Sequence, residues 1–262
     1  MGAFPALPLG RRPIRCRILV VYRLDPLRLK ALLPAGLEAR VVQGHALAVA
    51  CYTRLGSKRL FRRGGGTGRS PAESAAREGG TEHLAYRIAI RQEDGTEGTW
   101  IARRETSSWL EARCGAKLLG GAYGRSAFQV REEAFRVELR VEGERGEAFY
   151  LRGEAAGAVT GSLFPGAQAL EAFLGAGRPV RPYDVFAPEA DELDLADHFA
   201  PEPLAVFEAR SAFLNEGPLQ DASPCLDSAW RVVSRRCEVA PARRASFRIL
   251  PERGTPSPAL PT

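Results

Sequence analysis

Three side chains near the middle of the chain have the chemistry expected of catalytic groups. Glu105 and Glu111 are close in sequence, and either carboxylate could move a proton if burial raised its pKa. Lys117 follows in the same segment, and a neutral lysine amine can attack a ketone to form an imine. The other lysines are Lys30 and Lys58, so arginine supplies most of the positive charge. Arginine binds planar anions well but cannot act as an amine nucleophile.

The residues around these groups predict a hairpin followed by a helix. Residues 83–91 alternate between polar and apolar types and predict a strand, and Thr99 to Arg104 is its expected partner. Thr106 can cap a helix that runs through Trp109 to the glycines at 120–121. This helix would carry Glu111 and Lys117.

The N-terminal region predicts a strand, a short helix and a second strand. The first strand stops at Arg23, Asp25 is a good helix N-cap, and Pro26 is at the first helical position, where proline is tolerated. The predicted helix has one apolar face, formed by Leu29, Leu32 and Leu33.

Taken over 262 residues, the pattern is mainly β. About ten short strands, few helices and no βαβ alternation favour an antiparallel barrel or sandwich with minor helices. We expect an N-terminal arm over residues 1–13 and a single β-barrel domain over 14–250. The proline-rich residues 251–262 predict a disordered tail.

The N-terminal segment resembles a known superfamily. Residues 15 to 40 are similar to the start of acetoacetate decarboxylase-like proteins, in which a V-Y-R-x-D…L…L-P…L run opens the barrel. Weaker similarity to the YqjF-like branch follows at 116–123 and 169–186. The resemblance as a whole covers about residues 14 to 240. It implies a cone-shaped barrel with an internal ligand cavity.

The same resemblance locates the superfamily's amine catalyst. The decarboxylase acts through a lysine imine, from a segment similar to G-R-E-x-S-x-Y-P-K-K. Arg104 and Glu105 match that segment and Trp109 stands at its aromatic position, but the two lysine positions fall on Glu111 and Ala112. The resemblance therefore implies a barrel without the Schiff-base lysine pair. The alternative is that the alignment is shifted and that Lys117 takes the place of the catalytic lysine.

The resemblance also implies a set of substrate-binding residues. Arg23, at the end of its strand, is similar to the superfamily's arginine for the substrate carboxylate, and the remaining members of the set are Arg104, His83, Tyr86 and Trp109. Each has an ordinary alternative. Arg23 could be a solvated charge, Glu105 could be paired with an arginine, and His83 could be a structural hydrogen-bonding residue.

Composition excludes several classes of function. The formal net charge of +6 is dispersed, without the aromatic-interleaved basic stripe of a nucleic-acid interface. No apolar run is long enough to span a membrane and no signal peptide is evident, so we expect a cytoplasmic protein. Histidines and cysteines are too scattered for a metal site, and we expect no cofactor. The glycine-rich loop 62–71 lacks the lysine and first glycine of a phosphate-binding loop.

Three hypotheses about function remain open at this point. The barrel could be an enzyme without an imine, of lyase or hydrolase type, or a non-catalytic protein that binds a small organic acid or carbonyl compound. It could also be a decarboxylase, a lyase that uses Lys117. A carboxylate with a raised pKa in an open cleft would favour an enzyme, whereas a salt-bridged Glu105 would favour binding. Assembly into a homo-oligomer is compatible with all three.

Overall fold

The computed structural model describes residues 12–56, 80–93, 95–119, 122–174, 182–183, 201–232 and 238–239. The predicted arm, apart from residues 12–13, lies outside this part of the chain. So do loop 62–71 and the tail at 251–262.

The described chain is mostly β-strand. The strands are β1 (Arg12–Leu24), β2 (Leu37–Ala39), β3 (Val41–Val42), β4 (His45–Leu55), β5 (Thr81–Gln92), β6 (Glu97–Thr106), β7 (Tyr123–Glu132), β8 (Arg136–Gly143), β9 (Gly146–Ala155), β10 (Pro182–Tyr183), β11 (Pro201–Ser211), β12 (Cys225–Val232) and β13 (Glu238–Val239). The α-helices are α1 (Pro26–Lys30), α2 (Trp109–Leu119) and α3 (Ala167–Leu174). A π-helical turn spans Ala212–Glu216, and a 3-10 turn spans Gln220–Ala222.

Nine of these strands close into a barrel. Their order around the ring is β6, β7, β8, β9, β11, β12, β1, β4 and β5, and β5 pairs with β6 to complete the circle. The prediction of a mainly β barrel is confirmed. The prediction of an antiparallel sheet is mostly right, but β6 pairs in parallel with β7 within the ring and with β10 beside it. Helix α2 connects β6 and β7, and parallel neighbours require such a crossover.

The two sides of the barrel wall have different apolar layers. Alternate residues of each strand point to opposite faces, so β1 sends Ile18, Val20, Tyr22 and Leu24 into the large interior core. Leu19 and Val21 of the same strand pack outside against Trp230, Phe164 and Leu170. Helix α3 and the segment before it therefore cover one outer face of the barrel.

Helix α1 begins as its sequence predicts. The Asp25 carboxylate accepts hydrogen bonds from the backbone N–H of Leu27 at 2.8 Å and of Arg28 at 3.3 Å, and Pro26 occupies the first turn. Leu29 is fully buried. The helix ends at Lys30, so Leu32 and Leu33 lie beyond it but still pack against the interior core.

Helix α2 begins later than the sequence predicts. Thr106 still belongs to β6, where it pairs with His83 of β5. Its hydroxyl accepts a hydrogen bond from the backbone N–H of Ser108 at 3.1 Å, and Ser108 in turn accepts one from the N–H of Glu111 at 3.3 Å. Ser108 therefore caps the helix, because the ladder to β5 holds Thr106 in an extended conformation. No described helix has the length and apolar character needed to cross a membrane.

We predict that Leu170→Ala destabilises the barrel through its outer layer. Leu170 is fully buried, and truncating such a leucine removes its transfer energy and leaves a cavity, at a cost of about 2–5 kcal/mol. Urea unfolding should show this loss. Gln168→Ala, at an exposed position of the same helix, is the control and should leave the midpoint within experimental error. Equal midpoints for the two variants would contradict the described packing.

Candidate functional site

A cavity of about 620 Å³ extends from the barrel interior to the surface. Its inner part is lined by buried Tyr86 of β5 and Glu105 of β6, and its outer part by the exposed turn between β8 and β9. Helix α2 supplies Trp109, Ala112 and Arg113 along one side, and the π-helical turn supplies Ala212 and Phe213. Elements far apart in sequence thus converge on one concave surface, which is the usual form of a ligand site.

A buried carboxylate forms the polar floor of this cavity. Glu105 is only 2% exposed, so its charge must be compensated within the protein. Its Oε1 accepts a hydrogen bond from Nε of Arg103 at 2.5 Å, and its Oε2 accepts one from Oγ of Ser126 at 2.7 Å. Both oxygens are therefore occupied, and Glu105 is held in a salt bridge.

Gly124 makes room for this carboxylate. A Cβ atom at position 124 would lie 2.2 Å from Oε2 of Glu105 and 3.1 Å from Nη2 of Arg103. Gly124 pairs with Glu105 across the parallel β6–β7 ladder, so the close approach follows from strand register. The absence of a side chain at 124 is what allows Glu105 to reach Ser126.

Arg103 has its terminal nitrogens available in the cavity. Its Nε is committed to Glu105, while Nη1 and Nη2 donate no hydrogen bond to the described residues. Its side chain is 43% exposed, so the guanidinium is oriented by Glu105 and still accessible from the cavity. A fixed planar guanidinium of this kind suits recognition of a carboxylate.

Tyr86 adds a neutral phenol beside this pair. Its hydroxyl donates to the carbonyl of Ala148 at 3.2 Å and accepts from Oγ of Ser211 at 3.3 Å. Burial, assisted by the nearby charge of Glu105, raises the pKa of the phenol far above its ordinary value. The ring of Phe213 packs against it, with centroids 4.6 Å apart. Tyr86 therefore contributes shape and a hydroxyl dipole rather than a charge.

The residues predicted from the sequence divide into two groups. Tyr86, Glu105 and Trp109 line the cavity together. Arg104 points to the opposite face of β6 from Arg103, and its Nη1 donates to the Tyr123 hydroxyl at 2.7 Å.

His83 and Glu111 form a separate cluster beside the start of α2. Their closest atoms, Nδ1 of His83 and Oε2 of Glu111, are 3.4 Å apart, and Thr106 donates to the same carboxylate oxygen at 3.2 Å. Neither residue is among the described residues that line the cavity. Lys117 lies within α2, but its side chain is outside what the structure describes.

Arg23 faces the outer layer of the barrel. Its Nε lies 3.4 Å from Oδ1 of Asp227, a carboxylate with no solvent exposure. Asp227 also accepts hydrogen bonds from Ser162 and from the N–H of Leu163, in the segment that precedes α3. Arg23 therefore takes part in attaching this segment to the barrel wall. It is not among the described residues that line the cavity.

Several site residues were missed by sequence reasoning. Arg103 could have been found, because residues two apart on a strand share a face and Glu105 was already a candidate. Ser126, Gly124 and Phe213 carry no comparable signal, since they reach Glu105 and Tyr86 only through barrel closure. Among the described residues, no group of three or more His, Cys, Asp or Glu side chains could hold a metal ion.

Comparison with known proteins identifies the fold. No family model matches the chain, and no curated protein matches it. Among solved structures, acetoacetate decarboxylase from Legionella pneumophila is 12% identical, with a TM-score of 0.50 and 92% of each chain covered. A second acetoacetate decarboxylase structure is 13% identical, with a TM-score of 0.51 and 91% coverage of each chain. The enduracididine biosynthesis enzyme MppR, complexed with pyruvate, gives 13% identity, a TM-score of 0.51 and 88% coverage of each chain.

This chain has the acetoacetate decarboxylase-like fold. The likeness extends over almost the whole chain, so the fold expected from residues 15–40 is confirmed. On the acetoacetate decarboxylase-like barrel, the two positions that resemble the lysine pair have different surroundings. Ala112 lines the cavity, whereas Glu111 contacts His83 outside it.

We predict that Gly124→Ala disrupts the floor of the acetoacetate decarboxylase-like cavity. The added methyl group would clash with the Glu105 carboxylate, which is buried and held on both oxygens, so relief requires breaking a hydrogen bond. Overpacking of this kind costs about 1–3 kcal/mol. Thermal or urea unfolding measures the loss. Gly157→Ala is the matched control, because a Cβ there meets nothing within 4 Å. If both variants unfold alike, the described position of Glu105 is wrong.

Proposed function

We propose that this protein binds a small organic acid, a carboxylate or keto-carboxylate compound, in the cavity of its barrel. The observation that carries the proposal is Arg103, whose guanidinium is fixed through Nε by buried Glu105 while its terminal nitrogens are available to a ligand. A carboxylate bound there would form two parallel charge-assisted hydrogen bonds.

The charge around the cavity supports an anionic ligand. Three further arginines line it and have no carboxylate partner among the described residues; these are Arg113, Arg125 and Arg145. Of the three lining carboxylates, Glu105 is paired with Arg103, Glu147 is paired with Arg140 and Arg210, and only Glu144 has no arginine partner among the described residues. The excess of unpaired positive charge would attract anions to the cavity entrance.

The state of Glu105 favours binding over proton transfer. A general acid or base must present a carboxylate oxygen to the reacting atom, but both oxygens of Glu105 already accept hydrogen bonds. We assign Glu105 the role of a positioning residue for Arg103. In MppR, a protein of the same fold, pyruvate is the bound compound, and this supports a small keto acid as the ligand class here.

We predict that Arg103→Lys weakens binding of levulinate, a chemically stable keto acid, by more than tenfold. Lysine can keep the ion pair with Glu105 but cannot present a planar fork, and a charge-assisted contact contributes about 1.5–3 kcal/mol. Isothermal titration calorimetry measures the affinity.

Arg152→Lys is the matched control, since Arg152 is paired with Glu208 and is not among the described residues that line the cavity. Arg23→Gln provides a second control, from the outer layer. We expect both controls to bind levulinate as the unmodified protein does. Loss of binding in the Arg23 variant, with Arg103→Lys unaffected, would return the carboxylate site to the position expected from the sequence.

A second candidate function is decarboxylation through Lys117. The observation in its favour is that Lys117 follows Arg113 by four residues in α2, the helix that lines one side of the cavity. We propose instead that no imine forms, because both positions resembling the lysine pair, Glu111 and Ala112, lack an amine.

We predict that borohydride reduction in the presence of acetoacetate leaves all three lysines unmodified. Imine formation requires an amine in the cavity, and neither position that resembles the lysine pair carries one, so we expect nothing to reduce. Peptide mass spectrometry of Lys30, Lys58 and Lys117 gives the answer. Stoichiometric modification of Lys117, abolished by Lys117→Arg, would establish the decarboxylase function in place of simple binding.

A further inference from the structure

We infer that the acid bound in this cavity carries an aromatic group, so that the ligand is an aryl keto acid or an aryl carboxylate. The inference rests on the proposed function, because it assumes that the carboxylate lies on Arg103. It goes further in naming what the rest of the cavity holds.

Aromatic side chains are concentrated around the cavity. Four of the eighteen described lining residues are aromatic, compared with 8% of the whole chain. They are Tyr86, Trp109, Tyr123 and Phe213. The cavity wall is therefore richer in aromatic residues than the chain as a whole. Rings favour other rings in offset or edge-to-face contact beyond the effect of buried area alone.

Two of the four rings are already occupied by neighbours. Tyr123 packs closely against the backbone of α2, since a Cβ at Gly115 would lie 2.7 Å from its ring, and the Arg104 guanidinium lies 5.4 Å from its centroid. Tyr86 is packed against Phe213. These two rings complete the wall, but neither offers a free face.

The other two rings are accessible. Trp109 is 57% exposed even though it lines the cavity, and Arg113 lies 5.8 Å from the centroid of its ring. Phe213 is half-buried, backed by Tyr86 on one side. Beside them, Ala112, Ala148 and Ala212 give the wall small apolar surfaces. A flat apolar group in the cavity can therefore contact Trp109 or Phe213 without displacing a side chain from a polar partner.

The volume agrees with a ligand larger than a short keto acid. A cavity of about 620 Å³ is in the range that accommodates drug-sized ligands. A carboxylate on Arg103 uses only the polar floor, and the remaining space is bordered mainly by rings, alanines and arginines. An aryl substituent would occupy the part of this region that the rings and alanines border.

The test compares two stable keto acids that differ in a single substituent. Levulinate carries a methyl group on its ketone carbon, and 3-benzoylpropionate carries a phenyl group in the same place, so charge and chain length are equal. We expect calorimetry to show at least about tenfold tighter binding of 3-benzoylpropionate, because burial of the ring adds apolar area and ring contacts. The cyclohexyl analogue should bind more weakly than the phenyl compound.

Substitutions of the ring residues test which part of the cavity wall produces the preference for a phenyl group. Phe213→Leu and Trp109→Leu should each reduce the ratio of phenyl-compound affinity to levulinate affinity at least threefold. Trp109 is exposed, so its variant should fold even if Phe213→Leu does not. Phe135→Leu is the control, since Phe135 is 73% exposed and does not line the cavity.

The outcomes separate this inference from the proposed function. Equal affinity for levulinate and 3-benzoylpropionate, or equal affinity for the phenyl and cyclohexyl compounds, overturns the aromatic preference while acid binding stands. A preference unaffected by both ring variants also overturns it. Absence of binding by every acid contradicts the proposed function itself.

Discussion

The burial of Glu105 is the constraint on which the organisation of the cavity depends. A carboxylate with almost no solvent exposure is costly unless it is paired and hydrogen-bonded, and Arg103 and Ser126 meet that requirement. The same pairing holds the Arg103 guanidinium in one orientation. It also requires a residue without a side chain at 124, where the parallel β6–β7 ladder brings the backbone against the carboxylate. The buried charge of Glu105 thus constrains the residue at position 124 of the neighbouring strand and the orientation of Arg103.

Because side chains alternate along the strands, neighbouring residues lie on opposite faces of the barrel wall. In β6, Arg103 and Glu105 line the cavity, whereas Arg104 is not among the described lining residues and donates a hydrogen bond to the Tyr123 hydroxyl. In β1, Tyr22 points into the core, and Arg23 pairs with Asp227 beneath the segment before α3. Neighbouring residues in sequence therefore have different surroundings, and a shift of one position moves a side chain from the cavity to a structural contact.

The barrel itself does not determine the reaction. Solved structures of acetoacetate decarboxylase and of MppR share this fold with the chain at 12–13% identity, and a common fold can support different sites. On a shared fold, the set of side chains presented to the cavity decides what a site can do. Here those side chains include Trp109, Ala112 and Arg113, which suit binding of an anion with an apolar part.

The sequence by itself determined the mainly β class and the Asp25 cap of α1. These features depend on residues a few positions apart, whose periodicity and capping are local properties. Only the tertiary structure decided that β6 and β7 are parallel, that Ser126 and Gly124 complete the Glu105 site, and that Phe213 packs on Tyr86. It also decided that Arg23 faces an outer layer, because the segment that encloses it lies more than 130 residues away in the chain. Contacts of that kind are set by closure of the nine-strand ring, and no local pattern encodes which strand face will be enclosed.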